Sequence, residues 1–146
     1  MALRLTAGHR ARIAAWARET VPEETCGVLV GLKQGDEQQV LEVVRMENVA
    51  PESRHARYLL EPRKLADLER VVVRRGLVVL GYFHSHPTSS PVPSRTDLVE
   101  AWPGYSYLIQ PAEGSPRAWR LAANEKDFVE ERILCRDQES VDCAVV

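Results

Sequence analysis

The sequence predicts a single α/β domain, a mixed β-sheet flanked by helices. Three observations carry that expectation. The chain has 146 residues, enough for one hydrophobic core and too few for two. Short apolar runs of strand length alternate with stretches of helical spacing. No Pro/Gly/Ser-rich linker or internal repeat divides the chain. The apolar fraction of 45% and charged fraction of 27% are those of an ordinary globular protein.

The elements follow in order. Leu3 to Leu5 reads as a short strand, and Thr6 as the cap of a helix reaching Glu19, with His9, Ile13, Trp16, Ala17 and Thr20 at helical spacing. Pro22 breaks that helix. Cys26 to Leu32 and Val40 to Val49 flank a polar, Gly-containing turn and read as an antiparallel hairpin. Ala56 to Leu60 is a brief strand candidate. Pro62 opens a second helix whose Leu65, Leu68 and Val72 share a face, and Gly76 stops it. Leu77 to Ser85 is the most apolar run and reads as a central strand buried on both faces. Thr88 to Pro93, with two prolines, is a loop, and Ser94 to Trp102 a short helix. Tyr105 to Gln110, Arg117 to Ala122 and Phe128 to Leu134 complete the sheet. Trp16, Trp102, Trp119, Tyr82 and Phe83 are expected in the core. The domain spans residues 1–134, and 135–146 is expected to be a frayed polar tail.

Charge and cysteine usage exclude several functions. Nineteen Lys and Arg against 21 Asp and Glu leave a net charge of -2, which provides no counterion-release drive for nucleic acid and no polybasic membrane anchor. No apolar run approaches the roughly 20 residues of a membrane span. Cys26, Cys135 and Cys143 are odd in number and lack a C-x-x-C pair, so thiols in the cytoplasm are expected.

The chemistry concentrates between residues 84 and 97. His84 and His86 are two apart on a strand, so they share a face, with Cα atoms roughly 6 to 7 Å apart. Pro87 ends the ladder and leaves both imidazoles at an open sheet edge. The loop to Ser94 can return Asp97 to the same point. Two imidazoles, one carboxylate and an open position suit a catalytic zinc better than a structural one. Each piece has a plainer reading. H-x-H occurs in many strands without metal, and Ser94 with Asp97 is also a capping box. The two readings are compatible, because a cap positions Asp97. Glu24 is the candidate general base, yet spacing alone reads it as a solvated charge beside Glu23, and nothing brings it near His84. His55 and Arg57 either border a substrate path or are solvated loop residues. Cys26 reads as a small buried hydrophobe.

Together, Glu24 ahead of a Cys-Gly strand and His84-x-His86-x7-Ser94-x2-Asp97 resemble the full motif of the JAMM (MPN+) metalloprotease family. The resemblance covers approximately residues 3 to 134, with no departure inside the motif. His84-Ser85-His86-Pro87 and the short connections look like the prokaryotic form, similar to sulfur-carrier-protein–cysteine peptidases. There is no room for the insertions with which larger eukaryotic members grip ubiquitin chains. The resemblance implies a three-layer, cytidine-deaminase-like fold. It implies that His84, His86 and Asp97 bind one zinc per chain, with water as fourth ligand. Glu24 would take that water's proton and deliver it to the leaving amine, and Ser94 would hydrogen-bond the developing oxyanion. The implied substrate is a small ubiquitin-like or sulfur-carrier protein, cut after its C-terminal Gly-Gly. Alternatives are a deconjugase of isopeptide-linked modifiers and a non-catalytic scaffold. A zinc nucleoside deaminase is disfavoured, because H-x-E and P-C-x-x-C are absent.

Overall fold

A computed structural model describes residues 1–135. The order is β1 (Ala2–Leu5), α1 (Ala7–Thr20), β2 (Cys26–Gln34), β3 (Glu37–Met46), α2 (Pro62–Arg74), β4 (Val78–His86), α3 (Arg95–Glu100), β5 (Ser106–Pro111), β6 (Arg117–Leu121) and β7 (Phe128–Cys135). The caps lie where the sequence puts them. Thr6 accepts a hydrogen bond from the His9 N–H at 2.9 Å, and Pro62 takes the first turn of α2 behind Glu61, whose carboxylate accepts from Arg63 and Lys64. Gly76, at φ 74°, follows α2 in a conformation that costs other residues more.

The sheet is mixed, as expected: β4 runs parallel to β5, and β1 runs parallel to both β3 and β7, while the remaining pairs are antiparallel. Its closure is not anticipated by the sequence. The strand order β1-β3-β2-β4-β5-β6-β7 forms a ring, because β1 pairs with β7 as well as β3. Closure removes the open edges on which other chains could add a strand.

Strand alternation, reset in β4 by a bulge at Leu80, divides the packing of β2 and β4 between two clusters. Leu29, Leu80 and Phe83 join Ile13 and Trp16 of α1, whereas Val28, Val30 and Tyr82 join Val72, Leu65 and Leu68 of α2. Gly27 makes the first cluster possible: a Cβ there would lie 2.3 Å from the Phe83 ring and 2.2 Å from the Val44 carbonyl. The central strand is thus covered on both sides, as its unbroken apolar run predicts.

Several expectations need correction. Residues 56–60 form no strand, because side-chain hydrogen bonds take the backbone groups that a ladder would use. Trp102 is not core. It lies past the end of α3, 69% exposed, with its main-chain N–H donating to the Tyr107 hydroxyl at 2.8 Å. The histidine pair sits at the end of an interior strand, flanked by β2 and β5, not at a sheet edge. Cys26 is a free buried thiol as expected, but Cys135 closes β7 as a disulfide-bonded residue, against the expectation of thiols throughout. The rest of the expected tail, 136–146, lies outside the described residues. No helix among the described residues is long and apolar enough to cross a membrane.

Candidate metal centre

The site forms where β4 ends. His84 and His86 project from one face of the strand, and Ser85 between them projects from the other. Asp97 arrives through a capping box: the Ser94 Oγ accepts from the Asp97 N–H at 3.0 Å, and the Asp97 Oδ2 accepts from the Ser94 N–H at 2.9 Å. The cap fixes both the start of α3 and the direction of the carboxylate. Cap and ligand are one device.

Three side chains converge on a point. His84 Nε2 lies 3.2 Å from Asp97 Oδ1, His86 Nε2 lies 3.1 Å from Asp97 Oδ2, and the two Nε2 atoms are 3.2 Å apart. Ligand atoms about 2.0 to 2.1 Å from one tetrahedral ion lie roughly 3.3 Å from one another, close to each of these separations, and one ligand atom from each residue can be chosen with all three within 4.8 Å of one another. His86 Nδ1 lies 2.8 Å from the Ser90 carbonyl, which only accepts, so Nδ1 carries a hydrogen; the neutral ring then turns a lone pair inward, whereas the protonated ring donates from Nε2 to Asp97. That lone pair faces a second imidazole nitrogen and a carboxylate, an arrangement a shared cation makes favourable. This His84–His86–Asp97 group fits a metal on its own chemistry. The Tyr58 ring stacks on His84 at 4.6 Å between centroids.

Glu24 comes close through strand register. Cys26 pairs with His84 in the antiparallel β2–β4 ladder, and the Ser85 N–H continues the pairing to the Thr25 carbonyl at 3.1 Å. The same register sets Glu24 opposite His86. Thr25 is held again by its N–H donating to the Ser85 Oγ at 2.8 Å. The Glu24 side chain is 3% exposed, and its Oε1 has no hydrogen-bond partner. Burial, reinforced by the negative Asp97 and opposed by His86, pushes its carboxyl up to about 8. Asp97 goes the other way: burial disfavours its charge, but hydrogen bonds from His84, His86 and the Ser94 N–H outweigh that and hold it well below the usual range. Two nearby carboxyls with opposite displacements suit a proton acceptor beside a ligand.

From Tyr58 an open groove of about 740 Å³ runs past Leu60, Tyr82 and Tyr107 to the exposed Val99 and Trp102. Arg57 reaches across to Glu100 of α3 at 2.6 Å, while His55 is an exposed loop residue. Tyr58 and Trp102, which line the groove, escape sequence reasoning as site residues because the aromatic pair lacks motif spacing.

Residues 6–122 match the protein family described as prokaryotic homologs of the JAB domain. A desampylase of Haloferax volcanii is 39% identical over 128 residues, 84% of this chain and 90% of that protein. A desampylase of Pyrococcus furiosus is 30% identical over 70% of each chain. A probable TtuB-protein conjugate cleaving protease of Thermus thermophilus is 32% identical over 64% of this chain and 59% of its own. Among solved structures, a Desulfitobacterium hafniense protein superposes with a TM-score of 0.80 at 28% identity, covering 94% of this chain and 95% of its own. A JAB1/MPN domain protein from Archaeoglobus fulgidus shares the fold, with a TM-score of 0.56 at 20% identity over 90% of this chain and 97% of its own. The match spans every element from α1 to β6, including the strand and helix that carry the three ligands, and the chain belongs to the prokaryotic JAB-domain family.

Proposed function

We propose that the protein is a zinc-dependent metallopeptidase of the JAMM type, cutting the bond that follows the C-terminal Gly-Gly of a small ubiquitin-like or sulfur-carrier protein. The observation that carries this reading is the convergence of His84, His86 and Asp97 beside a buried carboxylate without a partner. Two nitrogens and one oxygen at these separations suit zinc with one open position. Zinc held there polarises a carbonyl and lowers the pKa of water.

The chain's own residues do the rest. Glu24 accepts a proton from the attacking water and passes it to the leaving amine; its Oε1 has no hydrogen-bond partner to compete, and a cation held beside it would offset the burial that raises its pKa. Ser94 spends its oxygen lone pair on the Asp97 N–H and keeps its hydroxyl hydrogen to donate to the developing oxyanion. The groove beyond Tyr58 receives an extended tail, and glycine passes most easily beneath the aromatic wall. The covering of β2 and β4 by α1 on one face and α2 on the other supports a three-layer, cytidine-deaminase-like description.

Relatives named desampylase and conjugate cleaving protease support a conjugate, in preference to a linear extension, as the substrate. The test uses one Gly-Gly carrier in two forms, joined to a lysine side chain or extended by cysteine, with intact mass and zinc content measured. The wild type is expected to release carrier from the lysine conjugate. Glu24→Gln is expected to lose about 10²- to 10⁴-fold in rate while keeping one zinc per chain. Zinc loss in that variant would make Glu24 a ligand. Release from the cysteine form alone would select the sulfur-carrier peptidase. No cleavage by zinc-loaded protein would select the scaffold.

A further inference from the structure

The 15 residues from 47 to 61 join β3 to α2 without regular structure, yet they bring Tyr58 to the metal centre, its ring stacked on His84. Their backbone groups converge on one buried side chain, Asn48. Its Nδ2 donates to the carbonyls of Glu24 at 3.2 Å and Arg57 at 3.0 Å, with the Arg54 carbonyl sharing a hydrogen at 3.5 Å. Its Oδ1 accepts from the N–H groups of Ala50 and Leu59, both at 3.1 Å. Both hydrogens and both lone pairs of the carboxamide are in use. Only the Glu24 contact leaves the loop.

That contact completes a cradle. The Glu24 N–H donates to the Arg54 carbonyl at 2.8 Å, and its carbonyl accepts from Asn48, so both main-chain groups of Glu24 are held by the loop. On the far side, Thr25 is held to β4 by Ser85, which stands between the two ligand histidines. The segment Glu24–Thr25 lies outside the β2 ladder, and these links fix it instead. The same carboxamide holds the backbone on both sides of Tyr58, whose ring stacks on His84.

We infer that Asn48 is a positioning residue for the reaction, setting the main chain of Glu24 and so the placement of its carboxylate opposite His86. The inference rests on Glu24 acting as the base. An aspartate cannot replace Asn48, because it would turn an acceptor toward three carbonyls. An apolar residue would leave the same carbonyls and two N–H groups without partners.

The test compares Asn48→Asp and Asn48→Ala with the wild type and Glu24→Gln on the lysine-linked carrier, and adds amide exchange measured by NMR on the zinc-loaded proteins. The expected result is a kcat lower by about 10- to 100-fold in both Asn48 variants, with KM within about 3-fold and one zinc per chain. The Glu24 amide is expected to exchange at least about 10-fold faster, while the amides of β4 keep their protection. A kcat within about 2-fold of wild type overturns the inference. So does a loss of kcat with the Glu24 amide still protected, or a variant whose KM, zinc content and β4 protection all collapse, since those mark a general packing role. If Asn48→Asp does not fold, Asn48→Ala is read by the same criteria, and failure of both to fold also overturns it. Undiminished turnover in Glu24→Gln overturns the base assignment itself and is read from a separate variant.

Discussion

Two of the buried polar clusters among the described residues are built on opposite principles. At one, Gln38 donates to the Ser106 hydroxyl at 2.7 Å, and that hydroxyl donates to Glu131 at 2.7 Å, with Arg120 lying 3.5 Å from the same carboxylate. Donor meets acceptor and cation meets anion; only single atoms, the Gln38 Oε1 and the Arg120 Nε, lack a hydrogen bond. At the other, the imidazole nitrogens of His84 and His86 crowd one another and the single Asp97 carboxylate, and the Glu24 Oε1 has no hydrogen-bond partner. The first cluster is complete as a piece of architecture, tying β3, β5, β6 and β7 together. The second becomes favourable with a cation at its centre. Buried polar groups that satisfy one another hold a fold, whereas buried groups that crowd one point without satisfying one another hold a ligand.

The sharpest way to break this contrast is to remove a member from each cluster. His86→Ala is expected to abolish zinc retention and, with it, turnover, because two ligands and an open face hold the ion poorly. Metal analysis after gel filtration checks this, and full zinc occupancy would dissolve the ligand assignment. Glu131→Ala is expected to do the reverse. It strands Arg120 without its buried counter-charge and should cost about 3 kcal/mol of stability in urea titrations. Turnover per zinc-loaded folded molecule should stay unchanged. A specific loss of activity there, with stability intact, would mean that the two clusters communicate.

Much of the metal cluster is legible in the sequence, and almost none of the other is. His84, His86, Ser94 and Asp97 are local: a strand period of two and a capping box of four residues fix their geometry before any tertiary contact forms. Glu24 is legible only by resemblance, because its placement depends on the register of β2 against β4, across 60 residues of sequence. Gln38, Ser106 and Glu131 carry no spacing signal at all. They meet because the sheet closes through β1, and a four-residue strand pairing on both sides is beyond what alternation can announce. Asn48 stayed hidden for another reason: an asparagine after a strand reads as turn chemistry, and its work here is done on distant carbonyls.

The smallest expected effect is thermodynamic and belongs to the metal-free protein. A carboxyl pushed up to about 8 by burial binds a proton in the folded state across a range where the unfolded chain, near its ordinary value, has released it. Between those two values the folded state holds more protons, so this group's contribution to stability falls as pH rises. The slope has an upper limit of about 1.4 kcal/mol per pH unit, one proton's worth. His86, whose pKa rises because its bonds to Asp97 and the Ser90 carbonyl outweigh burial, adds a loss of the same sign above the ordinary imidazole range. Asp97 opposes neither, since its stabilisation is fully present throughout and is lost only in strong acid. Chelated wild-type protein should therefore unfold at lower urea at pH 8 than at pH 5.5, and Glu24→Gln should flatten that difference, leaving the smaller His86 part. Equal pH slopes in the two proteins would show that Glu24 is already ionised in the empty site, and the contrast between a satisfied and an unsatisfied cluster would lose its strongest member.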